Sequence, residues 1–283
     1  MTKETMNKVE VLVQALPYIQ QYKGKHVVIK YGGAAMLSGE LKSAVMKDLI
    51  LLSQIGVKII LVHGGGSEIS AMLKKVGKET KFLDGLRITD SETAEIAQMV
   101  LAGKINKDLV ALIHALGGKA IGLCGSDGGI IKPRRISDEL GFVGEVKEVS
   151  TSLITELLEL GYIPIISSIA AGEDGQIYNI NADTVAAAIA TALSAENIIF
   201  MTDTKGLLKD TSDETSLIPL VKIKQVPKLV STGIISGGMI PKVECCVKAI
   251  SHGVKKAVMI DGRIPHAILV EMLSDEGVGT LFE

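Results

Sequence analysis

A mainly parallel sheet between two layers of helices, an α/β three-layer αβα sandwich, is what this sequence predicts, and three observations carry that reading. Short apolar runs rich in β-branched residues recur along the chain, most of them apolar on both faces, as strands covered from both sides must be. Helical periodicities fill the intervals between them. Glycine clusters follow the first two runs, which is how chains turn sharply at the carboxyl ends of strands.

The elements follow in order. The stretch MNKVEVLVQALPYIQQY puts Met6, Val9, Val13 and Leu16 on one stripe, so residues 1–24 read as a helix ahead of the sheet, and periodicity alone packs it on its own subunit. Strands are expected at HVVIKY (His26–Tyr31), VKIILV (Val57–Val62), KAIGLC (Lys119–Cys124), YIPIISS (Tyr162–Ser168), NIIFMT (Asn197–Thr202) and KAVMI (Lys256–Ile260). Helices are expected over 40–54, 68–76, 91–116, 152–160, 183–193, 241–251 and 266–273. Between Ile130 and Val149, and again over Gly172–Ile180, short glycine-broken pieces read as hairpins on the sheet's rim. The last segment, HAILVEMLSDEGVGT, reads as a final helix, a glycine turn and an edge strand.

Composition narrows the function. Hydrophobic residues make up 47% and charged ones 22%, with 30 basic against 32 acidic and a net charge of −2, an ordinary globular balance. With no basic block, no Trp and only five Tyr and four Phe, nothing suggests a nucleic-acid surface. No apolar run approaches the roughly 18 residues of a spanning helix. Cys124, Cys245 and Cys246 make no CxxC pair, and Lys3, Glu4, Lys8 and Glu10 interrupt any apolar leader, so the expected setting is reduced and cytoplasmic.

Candidate chemistry lies where open α/β sheets collect ligands, beyond the carboxyl ends of strands. Lys30-Tyr31-Gly32-Gly33 follows the first strand, His63-Gly64-Gly65-Gly66 the second, and Asp203-Thr204-Lys205-Gly206 follows NIIFMT. Each alone reads as a tight turn. Two glycine runs after consecutive strands favour an anion instead, because bare backbone N–H groups can approach it closely. GxxxxGK[ST], GxGxxG, the protein-kinase set, HExxH and GxSxG are all missing. Phosphoryl transfer fits what remains, since it asks mainly for positioning and cations. Lys30 suits that role. Lys242, in GGMIPKVE, stands near a helix's positive end and is either solvated or paired with an anion. Asp183, in NINAD, reads as an N-cap, and Arg87 as a surface arginine or a carboxylate clamp.

VIKYGG, VHGGG, GLRITD, NINAD and GGMIPKVE, in this order, resemble the amino acid kinase family over essentially the whole chain. The resemblance implies that residues 25–172 form the amino-acid lobe and 173–283 the nucleotide lobe of one continuous fold. It assigns Lys30 and Lys242 to the transferring phosphoryl group and Asp183 to orienting both. Gly65, Gly66, Arg87, Asn179 and Asn181 become contacts to the amino-acid substrate. Gly32, Gly33, Thr202, Asp203, Gly206 and Leu207 become contacts to ATP, whose phosphates carry Mg²⁺, so no protein metal ligand is expected. The branch it matches best phosphorylates the side-chain carboxylate of N-acetyl-L-glutamate. The alternatives are sister kinases acting on glutamate, aspartate or carbamate, and a non-catalytic ligand-sensing relative. A carboxylate acceptor is ionised at neutral pH and needs no general base, so His63 is expected to be structural. An N-terminal extension marks the branch's arginine-inhibited hexamers, trimers of dimers, and implies an L-arginine site formed with Glu271, Asp275, Glu276, Gly277 and Gly279. Two positions depart from the family pattern: Ser67 replaces an expected Pro, and Ser126 a frequent Lys.

Overall fold

The computed structural model describes residues 2–36 and 38–283. Helix α1 (Lys3–Gln14) is capped by Thr2, and α2 (Leu16–Tyr22) begins afresh with Pro17 in its first turn. The single helix expected over residues 1–24, of which Met1 lies outside the described residues, is therefore two, because proline has no N–H with which to continue the ladder. The stripe Met6, Val9, Val13 and Leu16 does not pack on its own subunit either: these residues are 42–62% exposed. Tyr22 behaves differently. It is buried, and its hydroxyl accepts a hydrogen bond from Asn197 Nδ2 at 3.2 Å.

The core then unfolds in order as β1 (His26–Tyr31), α3 (Gly39–Gln54), β2 (Lys58–His63) and α4 (Gly66–Lys75). A small hairpin, β3 (Phe82–Leu83) and β4 (Leu86–Arg87), precedes α5 (Ser91–Gln98) and α6 (Asn106–Ala115). Next come β5 (Ala120–Cys124), β6 (Ile131–Arg135), β7 (Val143–Val149), α7 (Ser152–Glu159), β8 (Ile163–Ser167), β9 (Ile169–Ala171) and β10 (Ile177–Ile180). The C-terminal part holds α8 (Ala182–Ala192), β11 (Asn197–Thr202), β12 (Leu220–Val221), α9 (Val226–Ser231), α10 (Met239–Ser251), β13 (Lys256–Asp261), α11 (Ala267–Leu273) and β14 (Gly279–Phe282).

All six expected strands join one eight-stranded sheet in the order β12-β14-β13-β11-β1-β2-β8-β5, parallel except where β14 meets β13. β14 is not the edge strand that the glycine turn suggested, since the two-residue β12 lies outside it. Strand alternation divides the core. Val27, Ile29 and Tyr31 face α3 and α6, whereas Val28 faces α8 and α10. The expected rim hairpins are instead a separate four-stranded sheet, β6-β7-β10-β9, because β10 pairs in parallel with β7 across the chain and not with its neighbours in the large sheet.

The helix expected over 91–116 runs as one body with a π-helical stretch, Met99–Ile105, between α5 and α6. Such wide turns are rare and cluster at functional sites. Beyond it, α6 lies so close to β5 that a Cβ on Gly122 would collide with Asn106 Oδ1 and come within 2.9 Å of Lys107 Nζ and Val110 Cγ2. Gly122→Ala should therefore lower unfolding free energy by about 1–3 kcal/mol through overpacking. Urea denaturation checks this, with a lower midpoint expected at unchanged slope.

Candidate active site

β1 lies at the point where the sheet's connections change direction: β2 stands on one side of it and β11 on the other. Loops leaving neighbouring strands diverge there and open a crevice. A cleft of about 280 Å³ occupies it, and Lys30, Gly32, Gly33, Gly65, Gly66, Arg87, Asn179, Asn181, Asp183 and Lys242 all line its wall.

The centre is a charged triad. Lys30 Nζ lies 2.9 Å from Asp183 Oδ1, and Lys242 Nζ lies 2.7 Å from Asp183 Oδ2. Lys30 points the opposite way from Tyr31 along β1, toward the layer that carries α8 and α10. The N-cap expected of Asp183 is taken by Asn181, whose side-chain oxygen accepts from the N–H groups of Asp183 and Thr184 at 2.8 and 3.2 Å. That frees the Asp183 carboxylate to face the lysines. Burial pushes its pKa up, but the charges of Lys30 and Lys242, and their hydrogen bonds, outweigh burial and hold it below the ordinary carboxylate value. Lys242 sits in the first turns of α10, so Asp183 is the anion that its position called for.

The glycines make room for neighbours as well as for a ligand. A Cβ on Gly32 would stand 2.9 Å from Lys30 Nζ, and one on Gly33, whose φ is +66°, would collide with the Asp203 carboxylate. At Gly65 a Cβ would run into Leu101 and Ile105 of the π-helical stretch.

Arg87 is 7% exposed, with Nη2 donating to Gly66 O at 2.8 Å and to Ser70 Oγ at 2.9 Å, and its guanidinium stacked 4.8 Å from the Phe82 ring centre. It is thus anchored to the second glycine loop and is no surface arginine. Thr89 escaped the sequence reading. It is fully buried, donates to Arg87 O at 2.8 Å and accepts from Asn179 Nδ2 at 3.4 Å, so it ties two expected substrate contacts together. Its signal was its place two residues beyond Arg87 in GLRITD. Leu101, Val143 and Leu86, also missed, give the cleft an apolar wall; nothing in their sequence context separates them from core residues.

The residues expected to hold ATP divide. Gly32 and Gly33 line the cleft, and Asp203 adjoins Gly33. Thr202 ends β11, Asp203, Gly206 and Leu207 follow it, and none of the four is part of the cleft wall. Thr202 Oγ1 donates to Thr204 O, while the Leu207 side chain is buried and its N–H donates to Thr280 Oγ1 at 2.8 Å. A Cβ on Gly206 would stand 2.6 Å from the same Thr280 oxygen. Both positions thus meet Thr280 of β14.

The departures have local explanations. Ser67 Oγ donates to Glu68 Oε2, and Ser126 Oγ accepts from Ala171 N, each at 2.8 Å. A second cleft, of about 400 Å³, lies between α2 and the C-terminal segment, lined by Tyr18, Glu271, Asp275, Gly277 and Gly279 but not by Glu276. Burial raises the Glu271 pKa, and its Oε2 accepts from Val278 N at 3.0 Å.

Residues 25–261 match the family model for the amino acid kinase family. The chain belongs to the amino acid kinase family. Among relatives, the family members called acetylglutamate kinase include one from Brachyspira hyodysenteriae, 55% identical over 98% of this chain and 96% of that protein, and one from Clostridium beijerinckii, 52% identical over 97% of each. The family's fold recurs in N-acetylglutamate synthase from Neisseria gonorrhoeae. Its complex with coenzyme A and N-acetyl-glutamate superposes at TM-score 0.86 and 22% identity, and its complex with coenzyme A and L-arginine at 0.80 and 21%. These cover 97% of this chain, which spans 63% and 65% of those synthase chains, and at such identity the likeness is one of fold. The resemblance drawn from the five motifs is borne out.

His63 does not line the cleft. It is fully buried and burial lowers its pKa from 6.5 to about 4. The unfolded chain therefore takes up a proton near pH 6.5 that the folded protein refuses until about pH 4, so this contribution to stability is complete above 6.5 and lost as pH falls toward 4. The stability difference between the wild type and His63→Asn, from urea titrations, should shift by about 2 kcal/mol to the wild type's disadvantage between pH 7 and pH 5. A pH-independent difference would show that His63 titrates in the fold as it does in the unfolded chain.

Proposed function

We propose that this protein transfers the γ-phosphoryl group of ATP to the side-chain carboxylate of N-acetyl-L-glutamate, giving N-acetylglutamyl 5-phosphate and ADP in arginine biosynthesis. The observation that carries the reading is the lysine pair on Asp183 between two glycine loops, in a chain more than half identical to acetylglutamate kinases. Two ammonium groups on one carboxylate leave a net positive centre. Phosphoryl transfer proceeds with charge spread over the equatorial oxygens, and fixed cations there lower the barrier without reorganising. Asp183 offsets the repulsion between the lysines and keeps both aimed at one point. Arg87, pinned by Gly66 and Ser70, suits the substrate's α-carboxylate, and the Leu86, Leu101 and Val143 wall suits an acyl group. The acceptor carboxylate is its own nucleophile, so no base enters the step.

The nucleotide's phosphates lie against Gly32 and Gly33, with the adenine toward the loop after β11. Asp183 is the one carboxylate lining the cleft among the described residues, and both its oxygens already face lysines. Mg²⁺, carried by the ATP phosphates and not by a protein carboxylate, would supply charge neutralisation there. Lys242→Ala should lower kcat about a hundredfold, the ~3 kcal/mol that loss of one donor to developing charge typically costs, with circular dichroism unchanged. A coupled ADP assay with N-acetyl-L-glutamate decides it; a variant within a few-fold of wild type sinks the assignment.

L-arginine is the feedback ligand in this reading, seated between α2 and the segment from α11 to β14. Glu271 and Asp275 offer carboxylates to a guanidinium there, and Gly277 and Gly279 allow close backbone approach. The exposed apolar stripe of α1 supports assembly of dimers into a hexamer. Because Tyr22 belongs to the core, the segment to remove is α1 and not the whole extension. Deletion of residues 1–15 should leave an active dimer that arginine inhibits weakly or not at all, read by light scattering and the same assay. A truncated protein that stays hexameric and fully arginine-sensitive rules this out.

A further inference from the structure

Two fully buried polar side chains stand behind the cleft, and neither lines its wall. Tyr31 and His63 are partners in register at the ends of the adjacent parallel strands β1 and β2. Each is followed at once by a glycine loop, and each holds that loop by a carbonyl. Tyr31 Oη donates to Ala35 O at 2.8 Å, which closes the turn over Gly32–Met36. His63 Nδ1 lies 3.0 Å from Gly64 O, at the root of the Gly64–Gly66 loop.

The donor on His63 follows from what surrounds it. Asn106 Nδ2 lies 2.9 Å from Ile165 O and 3.1 Å from Leu123 O, both acceptors, while its Oδ1 receives Lys107 Nζ at 3.2 Å. The amide nitrogen, with two hydrogens to share among these carbonyls and His63 Nε2 3.1 Å away, is a donor only, so Nε2 faces it as an acceptor. The ring's proton must then sit on Nδ1, where it donates to Gly64 O. Asn106 opens α6 directly after the π-helical stretch, whose Leu101 and Ile105 fill the space under Gly65. The loops are also tied to each other, since Gly64 N donates to Tyr31 O at 3.3 Å.

Glycine loops have little stiffness of their own. A catalytic geometry sensitive to displacements of an ångström needs that stiffness from elsewhere. On strand alternation, Lys30 faces the reacting groups and its neighbour Tyr31 faces the opposite layer, where it meets no substrate. We infer that Tyr31 and His63 are positioning residues, Tyr31 setting the loop that receives the ATP phosphates and His63, held in one tautomer by Asn106, setting the loop that receives the amino-acid substrate. The inference rests on the kinase reading above and adds to it a division of labour: each residue governs the affinity for one substrate.

Steady-state kinetics with ATP and N-acetyl-L-glutamate varied separately, alongside thermal denaturation of each variant, test it. Tyr31→Phe keeps the ring and removes only the hydroxyl; it should raise KM for ATP about tenfold and leave KM for the acceptor within twofold. His63→Gln can still accept from Asn106 but places no donor at Nδ1; it should raise KM for the acceptor about tenfold and spare ATP. His63→Asn restores a donor near Nδ1 and should return the acceptor KM to within about threefold of wild type. If Tyr31→Phe and His63→Gln lower the melting temperature yet move neither KM, or move both alike, or if His63→Asn is as impaired as His63→Gln, the positioning roles are overturned. A wild-type protein that forms no ADP with the acceptor overturns the kinase reading itself, and this inference with it.

Discussion

Everything in the cleft depends on keeping one buried carboxylate charged between two lysines. Asp183 is 8% exposed, and an unpaired carboxylate at that depth would give up its charge. Two cations prevent this, and each cation is acceptable there only because the carboxylate is present. Removing Asp183 leaves two like charges facing each other, whereas removing either lysine leaves a neutral pair without the net positive charge. The backbone that assembles them is spread over 212 positions, from Lys30 at the end of β1 to Lys242 in α10, so the triad reports on the whole topology. Its geometry needs the end of the central strand, the Asn181 cap that starts α8 in the right register, and the placement of α10 beside α8.

The sheet itself was legible in the sequence because its strands are buried on both faces and so consist of little but Val, Ile and Leu. The same property identified Lys30, a charge that an otherwise apolar strand would exclude unless it had work to do. Less legible were features decided by pairing between distant segments. Nothing local says that β10 pairs with β7, or that β12 extends the sheet past β14. The π-helical turn is equally hidden, since MVLAGKI has the propensities of any helix and its extra residue per turn answers to the packing of Leu101 and Ile105 beneath Gly65.

The site shows the same division. Lys30 and Lys242 stood out by breaking a local pattern, Asp183 and Arg87 through the motifs NINAD and GLRITD, and all four meet in one cleft. Thr89 and Asn106 broke none. Their importance comes from hydrogen bonds to residues far away in sequence, Asn179 and His63, which only the fold brings near. Gly206 and Leu207, which the resemblance assigns to ATP, also meet Thr280, a joint that no local pattern announces.

The place of β1 in the sheet has a consequence for how the chain is made. Its first partner, β2, follows within a few tens of residues, but its other edge waits for β11, where Val27 pairs with Asn197. A ribosome that has released only the first half therefore presents a largely apolar strand with one open edge, and Lys30 without its counter-charge. Open apolar edges are templates for pairing with other chains. The vulnerable moment for this protein is thus a stalled or cleaved nascent chain ending before residue 197. Such a fragment would be expected to aggregate and to need a chaperone until the second half of the sheet arrives.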